Sequence, residues 1–342
     1  MSGDKRVIPI VPMVPIVEVR NIARRFERSP DIAERIAGLL GAKFDSRTVH
    51  AVDGVSLAIN PGEVVGLVGE SGCGKSTLGR MIAGILPKSA GEYWFEGTES
   101  AHWTTAQAKE AKLQVQMVFQ DPMSSLNPRK RVIDIIGEAP RVHGIVPAEK
   151  IEDYVSELML KVGLDPAYKR RFPHQFSGGQ RQRIGIARAL AVKPRFVVCD
   201  EAVAALDVSI QAQVLNLFMD LKDAFNLTYL FISHDLGVVK HLSDRVAIMY
   251  LGRIVETAPT DALYAAPNHP YTRALLEEVP QVGTGKRVYE VVKGEIPSPL
   301  NPPSGCHFHP RCPRAMARCS REQPVLKEIA PGRFSACHLN DA

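Results

Sequence analysis

Residues 69–77 read GESGCGKST, which has the residue types and the spacing of a phosphate-binding loop. Glycine allows successive backbone N–H groups to turn inward around a polyphosphate, and a helix that begins just after the loop adds the positive end of its dipole. In such a loop Lys75 reaches the terminal phosphates, and the hydroxyl of Ser76 is a ligand for Mg²⁺. The sequence therefore predicts a nucleotide site formed by Gly69, Ser71, Gly72, Cys73, Gly74, Lys75, Ser76 and Thr77.

A second set of polar residues follows apolar runs elsewhere in the chain. Residues 196–201 read FVVCDE, so that Asp200 can hold Mg²⁺, directly or through water, while Glu201 polarises an attacking water. Gln120 ends another run and can reach the metal or its water. His234 ends a third run, and we prefer a catalytic role to a surface or helix-capping one because the other parts of a nucleotide site are present. The predicted catalytic residues are Glu201, His234 and Gln120, and the predicted Mg²⁺ ligands are Ser76, Gln120 and Asp200.

A second helix start also has the character of a phosphate site. Residues 176–183 read FSGGQRQR, and the free N–H groups of such a turn, with the hydroxyl of Ser177, suit an anion. Two phosphate-binding helix starts in one chain make sense if each serves a different nucleotide, so that two subunits enclose one ATP between them. The predicted contacts to this second nucleotide are Ser177, Gly178, Gly179 and Gln180.

Four of the six cysteines lie near the C-terminus. In a cytoplasmic chain, which the composition favours, such a group indicates metal binding rather than disulfide bonds. The C-x2-C pairs of most zinc modules are absent from it, and four thiolates in a loop-rich segment suit an iron–sulfur cubane. Structural zinc and thiols without a ligand are the alternatives. Because the tail is too small to bury its own core, we expect a structural [4Fe–4S] cluster on Cys306, Cys312, Cys319 and Cys337.

The elements that must position these residues are those of an α/β protein. Short apolar runs predict strands, and a helical pattern interrupted by glycine turns follows them. The predicted strands that bear on the site are 64–68, 113–119, 196–199 and 229–232. Because strands alternate with helices, the polar residues that end these runs are expected to meet at one edge of a sheet.

Length and composition indicate two unequal domains. A chain of 342 residues with 45% hydrophobic residues is long enough for one large domain and a smaller one. The composition changes after Pro259, so we expect an ATPase domain over residues 1–259, with a helical part at about 130–190, and a C-terminal extension over residues 260–342.

Charge and hydropathy narrow the function class. The formal net charge of +5 is spread along the chain and falls short of the basic footprint of a nucleic-acid binder. No apolar run reaches the length of a membrane span, and no cleavable signal is recognised. We therefore expect a soluble, cytoplasmic chain that serves a membrane process only when it is docked on other subunits.

The motifs, in this order, resemble the ATP-binding cassette (ABC) ATPases. Their counterparts are a Walker A loop at 69–77, a Q-loop at Gln120, a signature at 176–180, a Walker B strand ending at Asp200 and a switch histidine at His234. The resemblance implies a P-loop NTPase of the ABC type, with a RecA-like core, an antiparallel β-subdomain and a helical signature subdomain, here followed by a small cysteine-bearing extension. It also implies ATP and Mg²⁺ as cofactors, hydrolysis to ADP and phosphate, and Glu201 as the catalytic base.

A narrower resemblance covers nearly the whole chain. Strings such as FQDPMSSLNPR, HPYTRALLEEVP and NPPSGC are similar to the ATP-binding subunits of bacterial oligopeptide and dipeptide importers, some of which hold an iron–sulfur cluster in this tail. The resemblance implies two transmembrane permease subunits, a second ATPase (a related subunit or a second copy), an extracytoplasmic solute-binding protein and no nucleic acid. It places the chain peripherally on the cytoplasmic face of the bacterial inner membrane, with residues 121–129 against a permease and peptides or peptide-like solutes as the substrate.

Some positions depart from the family pattern or leave a choice open. Ala202 stands where proline usually follows the catalytic glutamate, and Ala204 replaces a serine that links the two ATP sites, so we expect a functional but asymmetric pair of sites. Phe44 is the candidate to stack on adenine. The alternative from another class is a soluble ABC ATPase acting on ribosomes or nucleic acid, which the single cassette and the modest basicity disfavour.

Overall fold

Parallel strands form the centre of the larger of two sheets. The computed structural model describes residues 14–27, 48–277 and 294–341. The central strands are β3 (Val64–Val68), β6 (Val115–Val118), β7 (Phe196–Asp200), β8 (Thr228–Ser233) and β9 (Arg245–Tyr250). They lie in the order β9-β3-β8-β7-β6, and each neighbouring pair is parallel. Every residue of β3, β7 and β8 is buried, as expected for parallel strands that are covered on both faces.

The second sheet is antiparallel and, in the part of the chain that the structure describes, contains four strands. Its members are β1 (Val17–Glu27), β2 (Thr48–Ile59), β4 (Ala90–Phe95) and β5 (Thr98–Glu99), in the order β2-β1-β4-β5. Apolar side chains of this sheet, among them Val17, Val52 and Ile59, join one buried cluster with Leu67 and Leu78 of the phosphate-loop region. The antiparallel sheet therefore packs on the element that carries the phosphate loop.

The C-terminal residues extend the larger sheet rather than forming a sheet of their own. Strand β10 (Arg253–Pro259) pairs with β9, β12 (Arg333–Ser335) pairs with β10, and β11 (Lys327–Ala330) pairs with β12, all antiparallel. Strands β11 and β12 are therefore stabilised by pairing, through β12, with the edge of the larger sheet.

Helices cover the larger sheet and build a separate helical region. They are α1 (Lys75–Ile82), α2 (Thr105–Gln114), α3 (Pro122–Ser125), α4 (Val132–Val142), α5 (Ile151–Lys161), α6 (Gly178–Leu190), α7 (Val208–Phe225), α8 (Leu236–Leu242), α9 (Thr260–Ala265) and α10 (Pro270–Glu277). Helices α4, α5 and α6 share one apolar cluster in which Ile136, Val155, Met159 and Ile184 are fully buried. In the ranges that the structure describes, no helix has both the length and the apolar character needed to cross a membrane.

The strand predicted over residues 113–119 begins later than expected, because α2 continues to Gln114 and β6 starts at Val115. The helix that includes residues 113 and 114 begins with a capping box. The Thr104 hydroxyl accepts the backbone N–H of Gln107, and the Gln107 side chain accepts the N–H of Thr104. Two otherwise unpaired N–H groups are satisfied in this way, which stabilises the helix ahead of the strand.

A buried carboxylate fixes the connection into α10. Glu256 of β10 is 1% exposed, and its two oxygens accept the backbone N–H groups of Asn268 and His269 at 2.9 and 2.8 Å. We expect Glu256→Gln to lower the free energy of unfolding by about 2 kcal/mol, because an amide nitrogen would face a buried N–H that now donates to a charged oxygen. Chemical denaturation measures this value. Glu110→Gln, at an exposed position of α2, is the matched control and should change it by less than about 0.5 kcal/mol.

Candidate functional site: a nucleotide site at the carboxyl edge of the parallel sheet

The predicted site residues follow strands that end at the same edge of the larger sheet. Strands β3, β6, β7 and β8 run parallel, so their carboxyl ends lie side by side. The phosphate loop follows β3, and Gln120 comes two residues after β6. Asp200 is the last residue of β7, and His234 directly follows β8. In open sheets of this kind ligands bind at the carboxyl edge.

The lysine of the phosphate loop binds backbone carbonyls of the same loop. Lys75, the first residue of α1, is 4% exposed, and its ammonium donates to the carbonyl oxygens of Gly69 and Glu70 at 2.6 and 3.0 Å. Gly74 precedes the helix with a φ of 105°, a conformation that side chains with a Cβ rarely adopt. Of the other predicted loop residues, Ser71 and Gly72 are exposed, Ser76 and Thr77 are half-buried and Cys73 is buried. The Cys73 side chain packs in the apolar cluster that the antiparallel sheet shares with Leu67 and Leu78, and this burial raises the pKa of its thiol.

A serine–aspartate pair stands at the start of α1. The Ser76 hydroxyl donates to Oδ1 of Asp200 at 2.7 Å. Asp200 is 2% exposed. Burial raises the pKa of its carboxyl, and the hydrogen bond from Ser76 acts in the opposite direction. Hydroxyl and carboxylate oxygens are ligands that Mg²⁺ accepts, and these two lie within hydrogen-bond distance of each other.

Glu201 is held between two further predicted residues. Nε2 of Gln120 donates to Oε2 of Glu201 at 2.8 Å, and Nδ1 of His234 lies 3.4 Å from Oε1. Glu201 has a positive φ of 46°, which costs a non-glycine residue about 1–2 kcal/mol. Its backbone N–H donates to Ile232 of the neighbouring strand. Strand pairing thus holds the strained residue where its carboxylate meets Gln120 and His234.

The serine–glycine turn stands apart from these contacts. The hydroxyl of Ser177 accepts the N–H of Gln180, and the side chain of Gln180 accepts the N–H of Ser177, so the two residues form a capping box at the start of α6. Ser177 and Gly178 are exposed, and Gly179 packs against Ile210. The structure therefore presents this helix start outward. Phe44, the candidate for adenine stacking, lies outside the described residues.

The prediction of an iron–sulfur cluster in the C-terminal tail is wrong. Cys306, Cys312, Cys319 and Cys337 do line one small cavity, together with His309 and His338. Yet in residues 14–27, 48–277 and 294–341 no group of three or more His, Cys, Asp or Glu side chains is arranged to hold a metal ion, so the structure supports neither the cluster nor zinc. Burial raises the pKa of Cys306 to about 11 and raises the pKa of Cys312 and Cys337, which favours the protonated thiols.

The tail is stabilised by packing instead. Phe308 is 1% exposed and lies edge-on to Tyr250 and against Tyr271, in a cluster shared with β9 and α10. The backbone N–H of Cys306 donates to the carbonyl of Cys319 at 2.8 Å. The argument that so small a tail needs a metal fails because the tail uses the core of the larger sheet.

Sequence reasoning missed a contact between this tail and the phosphate loop. Arg311 lies between the tail cysteines in sequence, and its guanidinium binds the carboxylate of Glu70 with two hydrogen bonds. The available signal was Glu70 itself, since a carboxylate that is largely buried is usually paired with a cation. The sequence offered no indication of which cation that is.

Comparison with solved structures places the fold among ATP-binding cassettes. The chain aligns with CbiO1 of Clostridium perfringens, described as part of the ABC transporter complex CbiONQ, at a TM-score of 0.60 and 24% identity over 73% of this chain and 91% of that one. It also aligns with the ATP-binding cassette MJ0796, in a dimeric post-hydrolysis state bound to ADP and phosphate, at a TM-score of 0.59 and 22% identity over 71% of this chain and 98% of that one. At these identities the likeness establishes the fold alone.

Comparison of sequences establishes the family. The family model for the ABC transporter matches residues 52–204, and that for the oligopeptide/dipeptide transporter C-terminal region matches residues 255–319. The chain is 48% identical to the oligopeptide transport ATP-binding protein AppF of Bacillus subtilis, over 95% of this chain and 97% of that protein. It is 53% identical to a putative peptide import ATP-binding protein of Brucella abortus, over 85% of this chain and 87% of that protein. The chain therefore belongs to the ATP-binding proteins of the ABC transporter family, in the oligopeptide-transport group, and is an ABC-type ATPase.

Proposed function

We propose that this chain is the nucleotide-binding subunit that powers the import of peptides or peptide-like solutes through a membrane ABC transporter. The observation that carries the proposal is the meeting of Gln120, Glu201 and His234 beside the Ser76–Asp200 pair at one sheet edge. The names of the relatives, which refer to oligopeptide transport and peptide import, support the substrate class.

The phosphate loop and α1 hold the nucleotide in this proposal. The ammonium of Lys75, which now binds two loop carbonyls, turns to the terminal phosphates when ATP enters, and the loop N–H groups hold the same phosphates. Ser76, Gln120 and Asp200 are the candidate ligands for Mg²⁺, and the hydroxyl–carboxylate pair fits an oxygen-binding cation. The bound ion would neutralise charge that develops on the phosphates.

Glu201 is the proposed general base. Its carboxylate accepts a proton from the water that attacks the terminal phosphate, while Gln120 and His234 keep it directed at that water. The strained backbone of Glu201 fixes the position of the carboxylate before ATP arrives, so less ordering remains to be done during the reaction. His234 is more than half exposed and has room to contact the terminal phosphate.

A second ATPase completes the site. Ser177, Gly178, Gly179 and Gln180 stand at an exposed helix start and make no hydrogen bond to the loop of the same chain within the described residues. We propose that they bind the ATP held by a partner subunit, which is a related ATPase or a second copy of this chain. Ala204, which replaces the serine that links the two ATP sites in the family, is also exposed, and its lack of a hydroxyl favours two unequal sites.

The membrane partners are proposed on the same basis. Residues 121–129 follow the Q-loop and include α3, whose Met123 is 48% exposed, a suitable contact for a permease. We propose two transmembrane permeases, an extracytoplasmic solute-binding protein and a peripheral position on the cytoplasmic face of the inner membrane. The division into residues 1–259 and a cysteine-bearing extension over residues 260–342 belongs to this proposal and is supported by the separate family match at 255–319.

Reconstitution tests the proposed function. The chain is expressed with two permease subunits of the oligopeptide-importer type from the same organism, and the purified complex is placed in vesicles loaded with ATP. We expect uptake of a labelled oligopeptide that requires the matching solute-binding protein and is lost with Lys75→Ala. A chain that sediments with ribosomes or nucleic acid and never with permeases would contradict the proposal.

A further inference from the structure

We propose that Arg311 and Tyr271, both in the C-terminal part of the chain, are positioning residues that set the conformation of the phosphate loop through Glu70. They hold both the side chain and the backbone of that loop residue. The inference rests on the proposed nucleotide site. It assigns to the oligopeptide-type C-terminal region a role in binding ATP, in addition to the packing described above.

The side chain of Glu70 is fixed by a two-point contact. Nη1 of Arg311 donates to one carboxylate oxygen at 2.8 Å, and Nη2 donates to the other at 3.0 Å. The Arg311 side chain is 6% exposed, so water weakens this pair much less than a surface ion pair. The paired geometry fixes the plane of the carboxylate as well as its position. In agreement with this contact, the carboxylate of Glu70 raises the pKa of Arg311.

The backbone of Glu70 is fixed from a second element. Its N–H donates to the hydroxyl of Tyr271 in α10 at 3.0 Å. Tyr271 is fully buried, and its ring lies 4.7 Å from that of Tyr250 and 5.4 Å from that of Phe308, measured between centroids. A side chain packed in this way cannot follow the loop if the loop moves. The hydroxyl is therefore a fixed acceptor.

The contacts of Arg311 and Tyr271 with Glu70 also affect the position of the Lys75 ammonium. The carbonyls of Gly69 and Glu70 are the acceptors for the ammonium of Lys75, so the orientation of these two peptides decides where that ammonium lies. The N–H groups proposed to hold the phosphates follow directly in the chain. Since the loop is ordered beforehand, ATP does not have to order it on binding.

Arg311 also removes an electrostatic conflict. Glu70 places a negative charge inside a loop proposed to bind a polyphosphate, and an unpaired carboxylate there would repel ATP. Arg311 compensates that charge in place. We therefore expect that removal of Arg311 alone weakens ATP binding, and that removal of both the Arg311 and the Glu70 charge restores most of the lost affinity.

The test measures KM for ATP and kcat by phosphate release from the purified transporter complex, in which the partner ATPase proposed above completes the site. We expect Arg311→Met to raise KM about tenfold with kcat changed less than about twofold, because the loop binds ground state and transition state alike. Adding Glu70→Gln to Arg311→Met should return KM to within about threefold of the unsubstituted chain. The matched control is Arg245→Met, which breaks the two-point pair of Arg245 with Glu63 away from the loop and should leave KM unchanged.

Tyr271→Phe keeps the inference testable if Arg311→Met fails to fold, because it removes only the hydroxyl. We expect it to raise KM about threefold with an almost unchanged Tm. A KM within the error of the unsubstituted chain for both Arg311→Met and Tyr271→Phe, or an equal rise for Arg245→Met, would overturn the inference while leaving the proposed function intact. Failure of the unsubstituted chain to bind ATP would instead overturn the proposed function.

Discussion

Substitution of Glu201 by glutamine should reduce ATP hydrolysis about a thousandfold, as the loss of a general base does, while ATP is still bound. The amide cannot take a proton from water, but it has nearly the shape of the carboxylate and can keep its contacts with Gln120 and His234. The phosphate loop and the Ser76–Asp200 pair are untouched by the change. Single-turnover hydrolysis, with this subunit alone substituted, separates the chemical step from nucleotide binding.

A second glutamate serves as the matched control. Glu96 also has a positive φ, 49°, and pairs with Arg195 at a distance from the sheet edge. Glu96→Gln makes the same chemical change in a comparable backbone conformation and should leave the rate within about twofold, as for a surface residue. If Glu201→Gln hydrolyses ATP as fast as the unsubstituted chain, the site that we assign is not the one that works.

The nucleotide site could be predicted from sequence because its parts are local. A strand end, the loop that follows it and the first turn of a helix depend on residues that are adjacent in the chain, and parallel strands bring their carboxyl ends together without further information. This rule predicts that Asp200, Glu201 and His234 lie at one sheet edge, and in the structure Nδ1 of His234 lies 3.4 Å from Oε1 of Glu201. What each residue does in the reaction stays a prediction.

The tail could not be predicted because its partners are distant in sequence. Arg311 meets Glu70 across 241 positions, and Phe308 is buried against strands whose apolar surface is already formed. Four cysteines near one another in sequence predict a metal site only if the tail has to be stable without the rest of the chain. A small segment that packs on the core of a larger sheet can be stable without a metal ion. Only the tertiary structure shows that the tail packs in this way.

The late start of β6 has a different cause. Residues 113 and 114, which the apolar run assigns to a strand, form the end of α2, whose start is a capping box of Thr104 and Gln107. A capping box indicates where a helix begins but not where it ends. The boundary between α2 and β6 therefore has no clear local signal in the sequence.

The second large effect is expected at Gly74, where alanine should weaken ATP binding about a hundredfold. Gly74 has a φ of 105°, and a Cβ there would overlap the carbonyl oxygen of Ala51, which belongs to β2. The left-handed backbone costs about 1–2 kcal/mol, and overpacking adds about 1–3 kcal/mol. Because Glu70 is anchored at the other end of the loop, the segment around Gly74 has to shift to relieve the overlap, and its N–H groups then no longer match the phosphates. We therefore expect a lower affinity, which titration with ATP measures, together with a lowered Tm.

Gly84, just past the other end of α1, separates the two contributions. It has a φ of 68°, and nothing lies within 4 Å of a Cβ built on it. Gly84→Ala should therefore lower the free energy of unfolding by about 1 kcal/mol from backbone strain alone, with the affinity for ATP unchanged. Equal affinities in Gly74→Ala and Gly84→Ala would mean that the loop does not need its present shape to bind nucleotide. A loss confined to Gly74→Ala would identify the contact with β2 as the constraint, because the antiparallel sheet then limits how the phosphate loop can open.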